Sequence, residues 1–265
     1  MNAAAEARQA ELDRAIEAHK LTTGFADELF AVADLLSQQA TLRNALADTT
    51  TPDAQRRGMA EAIFAKKVTK ATVAVLAEAA SLRWGTGSRL AAAIDRQGLR
   101  VLFGAAQAAG TLDRVEEELF RFSRAVVADP ELRAALDNRN ASLAVRQQLV
   151  ADLVGKKADP ITVKLAQRAL AFVKRAFEPT VDAYLTLAAE TRQRAVATVT
   201  VARPLSEEQQ QRLQQVLIGR LNPQVTLQVV VDPNVLGGAR VKVGDEVIEG
   251  TVAGRLAAAE QQLTQ

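Results

Sequence analysis

Sliding the chain against itself by 90 residues, with no gap, lays Glu28-Leu29-Phe30 on Glu118-Leu119-Phe120. The same shift lays Leu42-Arg43-Asn44-Ala45-Leu46 on Leu132-Arg133-Ala134-Ala135-Leu136, and Arg56 on Arg146. Lys66-Lys67 falls on Lys156-Lys157, and Thr72-Val73 on Thr162-Val163. Residues 28–80 give 14 identities, where an alanine-rich composition gives roughly four by chance; a fixed offset is the mark of a repeated structural unit. Two alanine-rich helical stretches always look somewhat alike, but the ungapped Lys-Lys and Leu-Arg-x-Ala-Leu matches do not come from alanine. The first two thirds of the chain must therefore fold the same unit twice.

That unit is helical. From Ala3 to about Arg192 the sequence is rich in Ala, Leu, Glu, Gln and Arg, the best helix formers, and poor in glycine. Apolar residues recur at helical spacing, as in Phe25, Leu29, Val32 and Leu36, and again in Val115, Leu119, Phe120 and Phe122. Asp129-Pro130-Glu131 and Asp159-Pro160-Ile161 each place an Asp N-cap before a Pro at the first helical position. Trp84-Gly85-Thr86-Gly87 reads as a loop, and the alanine-rich stretch Leu90–Ala109 closes one bundle and opens the next.

Near Arg194 the composition changes. Ala195–Ala202 is a β-branched strand signal, and Ser206-Glu207-Glu208-Gln209 is a capping box before Leu213, Val216, Leu217 and Leu221 on one helical face. Gln224–Val231 alternates as a second strand. Gly237-Gly238 leads into Ala239–Val243, a turn at Gly244-Asp245, the strand Glu246–Ile248, and a closing helix with Val252, Leu256, Ala259 and Leu263 on one stripe. The expected fold is mostly α: a helical bundle over residues 1–97, its repeat over 98–192, and a small α/β domain over 193–265.

Composition removes most chemistry. Among 265 residues there is no cysteine, which excludes disulfides, thiolate zinc sites, iron–sulfur clusters and Cys nucleophiles. His19 is the one histidine, so two-His metal sites are excluded; it reads as a solvated residue of a terminal helix. There is no GxxxxGK[ST] loop, and Leu236-Gly237-Gly238 reads as a tight turn or bulge before a strand rather than a phosphate loop. Asp245 and Glu249 straddle a hairpin, and Arg255 opens the last helix as a surface or structural salt link. No catalytic residue, cofactor site or metal site is expected. The sequence pI near 9.0 reflects only a small excess of 33 Lys+Arg over 31 Asp+Glu. With no basic run of four and 4% aromatics, nucleic-acid binding is not expected. The first residues carry charge where a signal peptide needs an apolar core. No apolar stretch approaches the roughly 18 residues of a membrane span, so a soluble, cytoplasmic chain is expected, with membrane contact only through partners.

The segment Val231-Asp232-Pro233-Asn234-Val235-Leu236-Gly237-Gly238-Ala239-Arg240-Val241-Lys242-Val243-Gly244-Asp245-Glu246-Val247-Ile248-Glu249-Gly250-Thr251-Val252, with Arg255-Leu256 beyond it, resembles the C-terminal signature of the delta subunit of F-type ATP synthases. The mitochondrial relative is the oligomycin-sensitivity conferral protein. Glu249 stands for the usual Asp and Thr251 for the usual Ser. Arg203-Pro204-Leu205-Ser206-Glu207 also looks like that family's link between its first C-terminal strand and helix. The resemblance runs from about Leu99 to Gln265; in the first helix, Gly98-Leu99-Arg100-Val101-Leu102-Phe103 lacks the tyrosine common there. The repeated N-terminal bundle resembles the actinobacterial form.

The resemblance implies a non-catalytic stator subunit of a proton-translocating synthase, peripheral to the cytoplasmic face of the cell membrane. The helical part would bind alpha-subunit N-terminal helices and the C-terminal domain the end of the b subunit. It implies a groove for the alpha helix on the first and fifth helices of the second bundle, with Val101, Leu102, Phe103, Ile161, Leu165 and Leu170 as candidates. Gly237, Gly238, Gly244, Asp245, Gly250 and Arg255 would be structural parts of the C-terminal motif. The other readings are a helical-repeat adaptor of another cytosolic complex and, more remotely, an enzyme using the Gly-rich hairpin.

Overall fold

In a computed structural model the described residues are 3–155, 157–171, 176–194, 196–206, 208–209, 212–213, 226–232, 235, 238–243 and 246–249. They divide into two compact units, Met1–Ala188 and Ala189–Gln265. The first holds α1 (Ala3–Glu17), α2 (Thr23–Gln38), α3 (Ala40–Ala47), α4 (Asp53–Phe64), α5 (Lys70–Ser81), α6 (Gly87–Ala108), α7 (Leu112–Ala128), α8 (Pro130–Asp137), α9 (Leu143–Val154) and α10 (Pro160–Ala169), and α11 (Phe177–Arg194) begins in it.

The 90-residue offset holds in the backbone: α3 and α8, α4 and α9, α5 and α10, and α6 and α11 each begin at matching positions. So α6 is both the last helix of the first copy and the first helix of the second. The boundary drawn at 97/98 runs through the middle of this helix, and one continuous core extends from Leu12 on α1 to Ala188 on α11. A helix flanked by two bundles must be apolar on most sides. Leu90, Ile94, Leu99, Val101, Leu102 and Phe103 of α6 are all buried.

Two charged residues of the repeat explain why the offset is kept. The carboxylate of Glu28 accepts from the Thr69 amide at 3.0 Å, the Thr69 hydroxyl at 2.8 Å and the Thr72 hydroxyl, closing the start of α5. Glu118 accepts from the Asp159 amide at 2.7 Å and the Thr162 hydroxyl at 2.8 Å, closing the start of α10. A carboxylate there meets both the orphan amides and the positive end of the helix dipole. Burial works against the Glu28 charge, but the bonds from Thr72 and Thr69 outweigh it, and its pKa is lowered. Glu118 behaves alike: burial is outweighed by bonds from Arg114, Asp159 and Thr162. At the other end of each helix stands an arginine. Arg56 donates to the Ala80 and Ser81 carbonyls that end α5, and Arg146 to the Leu170 carbonyl that ends α10. The repeat has conserved in itself the two caps of one helix.

The start signals at Asp129 and Asp159 are realised: each side chain accepts from an amide of the helix it opens. Two readings are corrected. Phe120 leaves the apolar face of α7 and is 51% exposed, whereas Val115, Leu119 and Phe122 are buried; one residue past Leu119 is a turn of about 100° away from the core. His19 lies beyond the end of α1, half-buried, with its ring edge-on to Phe25 at 6.2 Å rather than on a solvated helix face.

The second unit contains a four-stranded sheet of β1 (Val196–Val201), β2 (Thr226–Val231), β3 (Ala239–Val243) and β4 (Glu246–Glu249), in the order β2-β1-β3-β4. β1 and β2 are parallel, with Val199 opposite Val229; β3 is antiparallel to both β1 and β4. A parallel pair needs a long crossover, and the expected capping box stands at its start. Ser206 Oγ accepts from the Gln209 amide at 3.3 Å while Gln209 Oε1 accepts from the Ser206 amide at 2.9 Å. Among the described residues of this unit, Val199, Val201 and Val241 are buried together, with Leu205, Leu213, Val229 and Ala239 against them.

Candidate functional site

The first and fifth helices of the second copy are α6 and α10, and the structure buries all six groove candidates on them. Val101, Leu102, Phe103 and Leu165 are completely covered, and Ile161 and Leu170 are 8% and 4% exposed. They belong to the core, so a charge placed at any of them is a folding defect and not a selective loss of binding.

Along the face where α6 and α10 meet lies a helix of the chain itself, α2. Phe30 of α2 packs so closely on α6 that a Cβ at Gly98 would fall 2.5 Å from its ring. The guanidinium of Arg168, on α10, lies over the same ring at 4.6 Å from the centroid. Arg168 also donates to Asp34 of α2 at 2.8 Å, and through Nε to Asp95 of α6 at 2.7 Å. One turn earlier on α10, Lys164 donates to Asp27 of α2 at 2.6 Å. One arginine thus ties three helices from both copies of the repeat. Burial pushes the Asp95 carboxyl up, and the Arg168 charge and hydrogen bond pull it back only in part. Arg168 is affected in the opposite sense: burial disfavours its charge, but Asp34 and Asp95 more than compensate and raise its pKa.

On the other side of α6, Asp13 of α1 is 1% exposed and accepts from Arg96 at 2.9 Å and Gln97 at 3.0 Å, with Arg100 at 3.1 Å. Arg100 also donates to Glu17 at 3.0 Å. Buried charges are tolerated only when paired in this way.

Sequence reasoning did not find the Arg168 cluster, because its partners lie 73 and 134 residues away. A signal was present in the repeat. The counterparts of Lys164 and Arg168 in the first copy are Ala74 and Glu78, so the two copies differ in charge on one helix face.

Of the C-terminal motif, Gly238 has φ +82°, the left-handed region that glycine occupies without strain, immediately before β3. Gly237, Gly244, Asp245, Gly250 and Arg255, and the closing helix expected around Val252–Leu263, lie outside the described residues. Among the described residues no group of three His, Asp or Glu side chains could hold a metal ion.

The family model "ATP synthase delta (OSCP) subunit" matches residues 100–263, from within α6 to the end of the second unit. The chain belongs to this family. It is 41% identical over 237 residues to the "ATP synthase subunit delta" of Rhodococcus opacus, covering 89% of this chain and 85% of that one. Identity to the Cutibacterium acnes protein of the same name is 37% over 253 residues, 96% of each chain. The Streptomyces coelicolor protein, again of that name, is 38% identical over 263 residues, 98% of this chain and 96% of that one. The family model begins at residue 100, yet these alignments run through the first bundle, so the additional copy is shared with the relatives.

Proposed function

We propose that the chain is a non-catalytic peripheral-stalk subunit of a proton-translocating F-type ATP synthase, holding the catalytic head against the torque of the rotor. A part under torque must transmit force without yielding. The observation that carries this reading is the way the two helical copies are joined: they share α6 in one core, Asp13 of α1 and Arg168 of α10 form ion pairs with it from its two sides, and Arg168 reaches on to Asp34 of α2.

In this reading the helical unit binds N-terminal helices of alpha subunits and the C-terminal unit binds the end of the b subunit, on the cytoplasmic face of the cell membrane. Among the described residues no helix is long and apolar enough to cross a membrane. Helix-in-groove docking is the mode such a bundle supports. The way α2 lies along α6 and α10 is an example within the chain itself. Because α2 covers that face, the alpha contact is assigned to the helical unit and not to the six buried residues.

The test is a pull-down with the tagged full-length chain on detergent-solubilised membranes of its own organism. Alpha and b subunits should be recovered with it; recovery of a soluble complex containing no synthase subunit would overturn the reading.

A further inference from the structure

Phe30 and Phe120 occupy the same position of the repeat and have opposite fates. Phe30 is 8% exposed, seated against Gly98 of α6 and beneath Arg168 of α10. Phe120 on α7 is 51% exposed, the one aromatic side chain among the large exposed apolar residues described. Scattered exposed apolar residues are ordinary; one whose duplicate is a helix-docking anchor is not.

The repeat also supplies the reason for the difference. The 90-residue offset carries Gly98 of α6 to Ala188 of α11, which is completely buried. Ala188 has the Cβ that at Gly98 would stand 2.5 Å from the phenylalanine ring, so Phe120 cannot lie on α11 as Phe30 lies on α6. The charges on either side are carried over in altered form. Asp27 becomes Glu117 and Asp34 becomes Arg124. Among the described residues these two pair with exposed partners: Glu117 with Arg121 of the same helix at 2.5 Å, and Arg124 with Glu178 of α11 at 3.5 Å. Exposed pairs of this kind are weak and readily exchange for a partner's charges.

We propose that the outer face of α7, centred on Phe120 between Glu117 and Arg124, docks an amphipathic helix of another synthase subunit. The first copy dictates the chemistry of that helix. There the cation facing Asp27, Lys164, precedes by four residues the cation facing Asp34, Arg168. With Arg124 in place of Asp34, the partner places a basic residue against Glu117 and, four residues later, an acidic one against Arg124. Apolar carbon lies over the Phe120 ring between them. This rests on the stator reading, since it takes the partner from the same complex.

The experiment uses the full-length chain carrying p-benzoylphenylalanine in place of Phe120, expressed in its own organism and purified within the intact synthase before irradiation. A cross-link to a helix of another subunit, with a basic residue four positions before an acidic one, is expected. In parallel, Phe120→Ala and the double variant Glu117→Lys, Arg124→Glu should each speed release of the chain from the synthase by about tenfold, the scale of an interface anchor. Circular dichroism should be unchanged, because all three side chains are exposed. Cross-linking confined to the chain's own residues, or release rates equal to wild type in both variants, would overturn the docking face while the stator reading stood. Absence of the wild-type chain from purified synthase would overturn both.

Discussion

Replacing Arg56 by methionine, while making the same change at Arg146, separates what the repeat shares from what each copy built around it. Arg56 is completely buried. Its guanidinium donates to Ala80 O at 2.7 Å, Ser81 O at 2.7 Å, Thr51 O at 2.5 Å and Asp48 O at 3.2 Å. Methionine keeps the apolar stem and leaves these carbonyls without their charged donor. A buried carbonyl left unpaired costs about 1–3 kcal/mol. Ala80 O is the most enclosed, while the others lie on residues that water can partly reach. Losing the buried charge also removes its desolvation cost. The net effect for Arg56→Met is about 3 kcal/mol, a fall of about 6–12 °C in Tm at the scale of a 150–250-residue unit. Arg146 is half-buried and makes longer bonds, 3.2 Å to Leu136 O and 3.4 Å to Leu170 O, and its Nε has no partner among the described residues. Arg146→Met should cost about 1 kcal/mol, or about 2–4 °C. Thermal melts of the full chain followed by far-UV circular dichroism measure both. Equal shifts for the two variants, or a shift below about 2 °C for Arg56→Met, would refute the carbonyl-clasp reasoning.

Gly98→Ala should destabilise the helical unit by about 1–3 kcal/mol, the usual cost of overpacking, because the new Cβ meets the Phe30 ring at 2.5 Å. Chemical denaturation measures it, and a neutral result would mean that Phe30 can leave its place at no cost. The lowered pKa values of Glu28 and Glu118 fix the sign of an acid effect. Each carboxylate contributes stability that is fully present above about pH 4.3, the ordinary glutamate value, and is lost as pH falls through the lowered folded-state value. The double variant Glu28→Gln, Glu118→Gln should flatten that acid limb of stability against pH, and an unchanged limb would show that the two helix caps do not titrate with folding.

The parts of this structure that were legible in the sequence are those encoded within a few residues or by the repeat itself. Asp-Pro helix starts, the Ser206–Gln209 capping box and the strand signals behind β1–β3 are local, and each forms as expected. What stayed hidden was which apolar residues face a partner. α6 carries apolar residues on most of its circumference because it serves two bundles, and an apolar position looks the same whether it faces a core or a groove. Val101, Leu102 and Phe103 therefore could not be told from groove residues until their burial was known. The same limit hid Phe120, whose spacing beside Leu119 and Phe122 suggested a core face. The distinction lay in a comparison of the two copies. Where they agree, as at Glu28 and Glu118 or Arg56 and Arg146, the residue closes the bundle's own helices. Where they differ, as at Ala74 and Lys164 or Glu78 and Arg168, the second copy's residue reaches across to the first, to Asp27 and Asp34 of α2. Identity alone does not place a side chain inside, since Phe120 repeats Phe30 and is nevertheless exposed; what its neighbour carries, Gly98 in one copy and Ala188 in the other, decides where it lies.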